Sequence, residues 1–261
     1  MPELPDVEVY RKTALRCLSG KKADGAAVKD SRALKGKNTK KNLQGIKGRL
    51  GPIKRQGKNL FFKSENRGWF VMHFGMTGRL ECVPKGAKEP DYSKVIFSLS
   101  GGSKLVYIVK RMLGKIESIE SPAEYVSEKH IGKDFLDTGP DEFRNEAEKN
   151  SGSIKQFLMD QSKFSGIGNI YSDEILFQSG IHPAAKTKSL SSAALGRLHK
   201  KALRILNYAV EKEADPEKFP GTWLIPSRKK GAECPKCKAH VQKTKSGGRS
   251  AYVCPKCQKK N

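Results

Sequence analysis

The sequence predicts an α+β protein in three parts: a β-sandwich led by one helix, a helical domain, and a C-terminal β-ribbon organised by cysteines. Three observations carry this prediction. Short apolar runs between Gly and Pro fill residues 24–118, among them Leu60-Phe61-Phe62, Trp69-Phe70-Val71-Met72 and Leu105-Val106-Tyr107-Ile108-Val109. Such a texture reads as about eight strands folded into a sandwich or barrel. From residue 141 the apolar spacing becomes helical. Four of the six cysteines then crowd into the last 28 residues.

Taken in order, residues 5–19 read as an amphipathic helix. Val7, Tyr10, Ala14, Cys17 and Leu18 share one face, Asp6 and Glu8 sit near the positive end of the dipole, and Gly20 ends it. Residues 29–67 hold 13 basic side chains and two acidic ones, so one side of the strand domain should be positive. The balance reverses over 115–150, with ten acidic and five basic side chains and the Gly139-Pro140 breaker, and the linker is expected near 132–140. Helices follow at 141–150, 153–163, 169–179 and 189–214, with Gly180, Pro183 and Pro216 as stops. The expected domains are 1–136, 141–227 and 228–261.

Composition narrows the function classes. Lys and Arg number 51 against 27 Asp and Glu, a formal charge of +24, which points to a polyanionic partner and above all to nucleic acid. No run of 18 apolar residues is present, so a transmembrane helix is not expected, and the N-terminus lacks the pattern of a signal peptide. Cys17 and Cys82 are expected to be inert core thiols in a reducing compartment.

The chemistry-bearing motifs are few. Cys234-Pro-Lys-Cys237 and Cys254-Pro-Lys-Cys257 are 16 residues apart, the spacing of a four-thiolate structural zinc ribbon with a hairpin turning at Ser246-Gly247-Gly248. Arg249 follows that turn, where a hairpin tip could reach a phosphate, although an exposed surface Arg is the plainer reading. Ser165-Gly166-Ile167-Gly168-Asn169 precedes a helix, and free amides at a helix start favour a phosphate; equally, a Gly-x-Gly can be a tight interhelical turn. Glu174 lies among apolar neighbours, where it serves either a site or the helix dipole. Lys58 in Arg55-Gln56-Gly57-Lys58 should ride a hairpin turn, and Met76 in His73-Phe74-Gly75-Met76-Thr77-Gly78 a loop, from which an exposed Met could wedge into a base stack.

The start, Met1-Pro2-Glu3-Leu4-Pro5-Asp6, is the remaining stretch of interest. Removal of Met1 would leave Pro2 with a secondary amine. A terminal α-amine titrates near ~7.7–8.0 against ~10.4 for Lys, so far more of it is neutral and able to attack a sugar aldehyde carbon. The iminium it forms cannot shed its charge and is a good electron sink. Glu3 adds a carboxyl group beside the amine for acid or base work.

Together these residues resemble the bacterial-type formamidopyrimidine-DNA glycosylases, the Fpg/Nei family, along essentially the whole chain. The resemblance rests on Pro2-Glu3-Leu4-Pro5, Gln56-Gly57-Lys58, His73-Phe74-Gly75-Met76, Gly166-Ile167-Gly168-Asn169-Ile170-Tyr171 and the cysteine ribbon. It implies an N-terminal β-sandwich, a helix–two-turns–helix domain and one structural zinc ion on Cys234, Cys237, Cys254 and Cys257, with damaged duplex DNA in a cleft between domains. By the same resemblance Pro2 is the nucleophile, Glu3 the acid that assists opening of the deoxyribose ring, and Lys58, Asn169 and Arg249 grip phosphates around the extruded nucleotide. Glu174 resembles an acid near the active site, and Met76 and Arg111 resemble residues that fill the gap in the duplex. The family's Asp-Pro-Arg-Arg-Phe-Gly loop stands here as Val109-Lys110-Arg111-Met112-Leu113-Gly114, with Leu113 in place of the aromatic, and Asp6 replaces the usual Glu. The implied protein is a monomeric, cytoplasmic bacterial repair enzyme with no small-molecule cofactor and no membrane attachment. The rival reading is a non-catalytic member that kept the grip on DNA and lost the cut.

Overall fold

Helix α1 (Leu4–Leu18) forms because its apolar residues recur on one stripe, with Val7, Ala14, Cys17 and Leu18 buried, Asp6 in the first turn and Arg16 in the last. The computed structural model describes residues 1–259 and divides into two units, Met1–Pro2 with Asp6–His130, and Glu3–Pro5 with Ile131 onward.

In the first unit α1 leads β1 (Ala23–Val28), β2 (Leu34–Lys35), the short helix α2 (Thr39–Gln44) and β3 (Leu50–Gln56). There follow β4 (Asn59–Ser64), β5 (Gly68–His73), β6 (Arg79–Val83), β7 (Ser93–Leu99), β8 (Lys104–Ile108), β9 (Lys115–Ile119) and helix α3 (Pro122–Glu128). One sheet runs β1-β7-β8-β6 and the other β2-β9-β5-β4-β3, so the strands make a sandwich. Alternate residues of the central strands fill it, Leu60 and Phe62 with Phe70 and Met72 from one sheet and Phe97, Leu105 and Tyr107 from the other. Phe62 stacks on Phe70 of its own sheet at 5.0 Å and meets Phe97 of the opposite sheet edge-on at 5.5 Å. Helix α2 lies in the basic stretch, where only Thr39 and Leu43 are buried, too few apolar positions to announce a helix.

Two sequence expectations change here. Cys17 and Cys82 are not free core thiols: they form a disulfide with Cα atoms 5.7 Å apart, joining the last turn of α1 to β6, and Cys82 sits on the exposed face of its strand. The boundary also moves, from 136 and a linker at 132–140 to His130/Ile131. The stretch expected to be a linker is structured. Its Lys133–Asp134 strand, β10, pairs in parallel with Phe164–Ser165, and Phe135 is wholly buried in the second core.

The second unit continues with α4 (Pro140–Glu148), α5 (Ile154–Met159), β11 (Phe164–Ser165), α6 (Asn169–Ser179) and α7 (Ser192–Glu211). Pro140 opens α4, a Ser153/Gln156 capping box opens α5, and Ser191 caps α7. Helix α6 is buried all round from Tyr171 to Phe177, with Ser172, Asp173 and Glu174 among the residues it takes out of water. The core beside it is a ring cluster in which Phe143 meets Phe135, Phe157, Phe164 and His199 at centroid distances of 5.2–5.9 Å. The chain ends in a hairpin of β12 (Gln242–Ser246) and β13 (Arg249–Val253), turning at Gly247-Gly248 as the sequence predicts. Among the described residues no helix is long and apolar enough to cross a membrane.

Phe143 is completely buried at the centre of this cluster. Phe143→Ala should cost about 3–5 kcal/mol through lost burial and the cavity left behind, read as a lower urea midpoint at unchanged slope. A shift under ~1 kcal/mol would show that the ring cluster can collapse onto the space.

Candidate active site

The second residue after Met1 decides how the chain start is held. The Glu3 side chain is buried, and both of its oxygens accept backbone N–H groups from the first turn of α6: Oε2 from Gly168 at 2.7 Å and Tyr171 at 3.2 Å, Oε1 from Ile170 at 2.8 Å. Next in the chain, Leu4 N–H donates to Gly166 O at 3.0 Å. The two glycines of Gly166-Ile167-Gly168 exist for this approach. A Cβ at Gly168 would stand 2.4 Å from Glu3 Cδ, and one at Gly166, whose φ is +123°, 2.5 Å from Leu4 Cδ1. Gln161 braces the loop from behind, donating to Met159 O and Ile167 O and accepting from Gly166 N–H. The Gly-x-Gly stretch, read from sequence either as a phosphate cradle or as a tight interhelical turn, leads into a helix start whose amides go to Glu3.

Asn169 opens α6 beside that carboxylate, half-buried, and its Oδ1 is buried with no hydrogen-bond partner among the described residues. Its main-chain carbonyl is held instead, by Lys155 Nζ at 3.3 Å, by Arg228 Nη2 at 3.2 Å and by Ser172 Oγ at 3.3 Å. Lys155 is fully buried and also bonds Asp173 at 2.5 Å and Ser172 Oγ at 2.9 Å. Burial pushes its ammonium below the ordinary lysine value, opposed by the Asp173 charge. Sequence reading missed Lys155 and Arg228. A lone Lys between Ile154 and Phe157 was a usable signal; Arg228, first of the run Arg228-Lys229-Lys230, was hidden among solvated cations.

Pro2 is half-buried and belongs to the first unit, as does Lys58, which occupies the two-residue turn between β3 and β4 as expected. Arg55, just before that turn, meets Glu8 of α1 at 2.9 Å, and Glu8 also pairs with Arg11 at 2.7 Å. Burial alone would raise the Glu8 carboxyl, but the two guanidinium groups overcome it and hold it below the usual value. The first unit also brings three predicted residues together. Met76 and Leu113 are exposed apolar side chains on adjacent loops, and Arg111 N–H donates to Thr77 Oγ1 at 3.1 Å. Gly75 permits that approach, since a Cβ there would lie 2.4 Å from the Leu113 carbonyl carbon.

Glu174 is fully buried and its carboxyl is engaged inside the protein: Oε2 accepts from Ile225 N–H at 2.8 Å and Oε1 from Gln178 at 2.7 Å, and Gln178 also donates to Thr222 O. Its task is to pin the 222–225 segment to α6. Desolvation pushes its pKa up to about 7 against three opposing hydrogen bonds.

The Sγ atoms of Cys234, Cys237, Cys254 and Cys257 lie within 4.8 Å of one another, with Cys237–Cys254 at 3.4 Å and Cys234–Cys257 at 3.8 Å. Tetrahedral zinc with bonds of ~2.3 Å requires sulfurs about 3.8 Å apart, so the four thiolates fit one structural zinc ion with no open position. The hairpin tip docks on α5: Ser246 Oγ meets Ser153 Oγ at 2.9 Å, and Gly247 lies so close that a Cβ would be 1.8 Å from Gln156 Cγ. Arg249 projects from this tip, exposed.

Because a raised carboxyl binds its proton more tightly folded than unfolded, Glu174 stabilises the fold most below pH ~4.5 and progressively less as pH climbs toward about 7. Glu174→Gln removes that titration. The stability of the variant relative to the parent should rise between pH 5 and pH 8, by at most ~3 kcal/mol, and thermal melts of both proteins at the two pH values check it. A constant difference would remove Glu174 from the titrating groups.

Models of known families match three consecutive stretches: the formamidopyrimidine-DNA glycosylase N-terminal domain over 1–116, its H2TH domain over 132–219, and a zinc finger found in FPG and IleRS over 231–260. The chain is 31% identical over 278 residues to a formamidopyrimidine-DNA glycosylase of Exiguobacterium sibiricum, covering 99% of each, and 32% identical over 275 residues to that of Mycoplasma pneumoniae, again covering 99% of each. The Lactococcus lactis Fpg, solved in complex with DNA containing an abasic site, superposes with a TM-score of 0.84 at 27% identity over 99% of this chain and 100% of that one. With the seat of Glu3, the four-thiolate ribbon and end-to-end similarity in agreement, the chain belongs to the formamidopyrimidine-DNA glycosylase family.

Proposed function

We propose that this protein is a bifunctional DNA glycosylase and abasic-site lyase that excises oxidised bases from duplex DNA in base excision repair. The observation that carries the reading is the seating of Glu3, one residue from Pro2, on the turn that presents Asn169. Once Met1 is removed, the Pro2 amine attacks C1′ of the damaged nucleotide and the N-glycosidic bond breaks, its electron pair leaving with the base. Glu3 assists as O4′ leaves C1′ and takes a proton, which opens the ring and gives an iminium. Loss of a C2′ proton then expels the 3′ phosphate, and a further elimination expels the 5′ phosphate, with the iminium as electron sink.

Lys58, Asn169 and Arg249 serve this chemistry by gripping phosphates, and Met76, Arg111 and Leu113 by filling the space an extruded nucleotide vacates. Both exposed apolar side chains of that group suit insertion between bases better than contact with water. Zinc, once bound, supplies folding energy to the ribbon that carries Arg249. The protein works as a monomer on the DNA of a bacterial cytoplasm, without a small-molecule cofactor.

Borohydride reduces an iminium to a stable amine, and so tests the nucleophile directly. Protein whose Met1 has been removed should be trapped covalently on a duplex with one abasic site, whereas protein extended upstream by an uncleavable tag should not, since an amide nitrogen cannot attack C1′. Equal trapping of both would make a lysine the nucleophile. No trapping and no nicking by either would favour the non-catalytic reading. Gly168→Ala probes Glu3 without replacing it: a Cβ 2.4 Å from Glu3 Cδ must displace the carboxyl. Base excision should fall roughly a hundredfold, the scale of an ångström's misplacement, with nicking of a ready-made abasic site affected less. Undiminished excision would show that the seat of Glu3 is dispensable.

A further inference from the structure

Arg228 leaves the solvated run it shares with Lys229 and Lys230 and turns inward, with its side chain 16% exposed. Its guanidinium is engaged on three sides. Nε and Nη2 take Asp173 Oδ2 at 2.8 and 2.7 Å, Nη2 also donates to Asn169 O at 3.2 Å, and the plane lies 4.6 Å from the ring of Tyr252. Tyr252 is on β13, the strand that begins at Arg249. Asp173, completely buried, is shared on its other oxygen with Lys155, which reaches the same Asn169 carbonyl. One cation thus spans from the zinc hairpin to the first turn of α6. Among the described residues the Asn169 side-chain oxygen has no partner of its own, so the placement of that residue depends on what holds its main chain.

We infer that Arg228, with Asp173 as its counter-ion, is a positioning residue that locks Asn169 and the Arg249 hairpin into one phosphate-gripping unit. Arginine suits the task because its planar fork can bond two acceptors while its face stacks on an aromatic ring. Lysine can supply the charge but not all three contacts. Asp173, buried between two cations, is compensated by both, and losing either leaves a charge imbalance in a medium that screens it poorly. The inference rests on the phosphate-binding roles proposed above for Asn169 and Arg249.

The test is a double-mutant cycle on the zinc-loaded full chain, with binding to a duplex carrying one reduced abasic site as the readout. Asn169→Ala should weaken binding about tenfold, and Arg228→Met by a similar factor, the 1.4 kcal/mol scale of coupled neighbours. The double variant should lose scarcely more than either alone. Zinc content should stay at one ion per chain, and the saturating single-turnover rate of nicking an abasic site should change less than twofold, so that the loss appears in KM and not in kcat. Arg228→Lys should recover part of the affinity and serves as the probe if Arg228→Met fails to fold. Full additivity of the two losses, or wild-type binding by Arg228→Met, would overturn the inference while leaving Asn169 in the grip. Wild-type binding by Asn169→Ala would overturn the reading of Asn169 and this inference with it.

Discussion

Everything proposed for this protein depends on one carboxylate resting on the start of one helix. Glu3 takes three amides of the first turn of α6, which satisfies donors that a helix start leaves open and fixes both oxygens at once. Residues 3–5 consequently belong to the second unit although Met1–Pro2 and Asp6–His130 make the first. The start of the chain, proposed above to be reactive, is therefore not a fraying terminus. Its position is set one residue away by hydrogen bonds to buried backbone, and the glycines at 166 and 168 are the condition for that approach.

Helix α6 is the part that relays this constraint. At its start it receives Glu3; in its middle Asp173 and Glu174 bind the 222–228 segment through Arg228 and Ile225; near its end Phe177 packs with Leu224, Cys234 and Cys254 of the ribbon. Two adjacent buried acids on a helix would be costly in isolation. They are tolerated because each has a different compensation, a pair of cations for Asp173 and neutral donors for Glu174, and the second is the weaker arrangement, as its raised pKa of about 7 records.

Local patterns were legible in the sequence to the extent that their cause was local. The hairpin at Gly247-Gly248, the cysteine pairs, the turn under Lys58 and helix α6 could each be read from neighbours a few residues away. The Met76 loop was legible from its own residues, whereas the Leu113 loop followed only from the resemblance. Partnerships across long separations were not readable. Gly166 and Gly168 looked like a phosphate cradle because the anion they accept lies more than 160 positions earlier, at Glu3. Glu174 was recognised as a half-hidden acid, yet its partner Ile225 is 51 residues on, so the sequence offered only a site role or a helix-dipole partner for it. Cys17 and Cys82 carry no mutual signal in spacing, and only the packing of α1 against β6 brings them within bonding reach.

Depth separates the two electrostatic tasks of this strongly basic chain. Exposed cations such as Arg249 act on a polyanion through solvent, where attraction is long-ranged, sequence-independent and weakened by salt because it works by displacing counterions. The Lys155–Asp173–Arg228 group lies beneath that surface, where mobile ions do not penetrate and each charge is fixed by a specific partner. The first kind of charge gathers the duplex and carries little geometric information. The second carries geometry and adds little to the attraction felt from outside. A net charge of +24 thus accounts for attraction to DNA, whereas the geometry proposed for Asn169 and the Arg249 hairpin rests on the few charges that are nearly balanced and largely withdrawn from water.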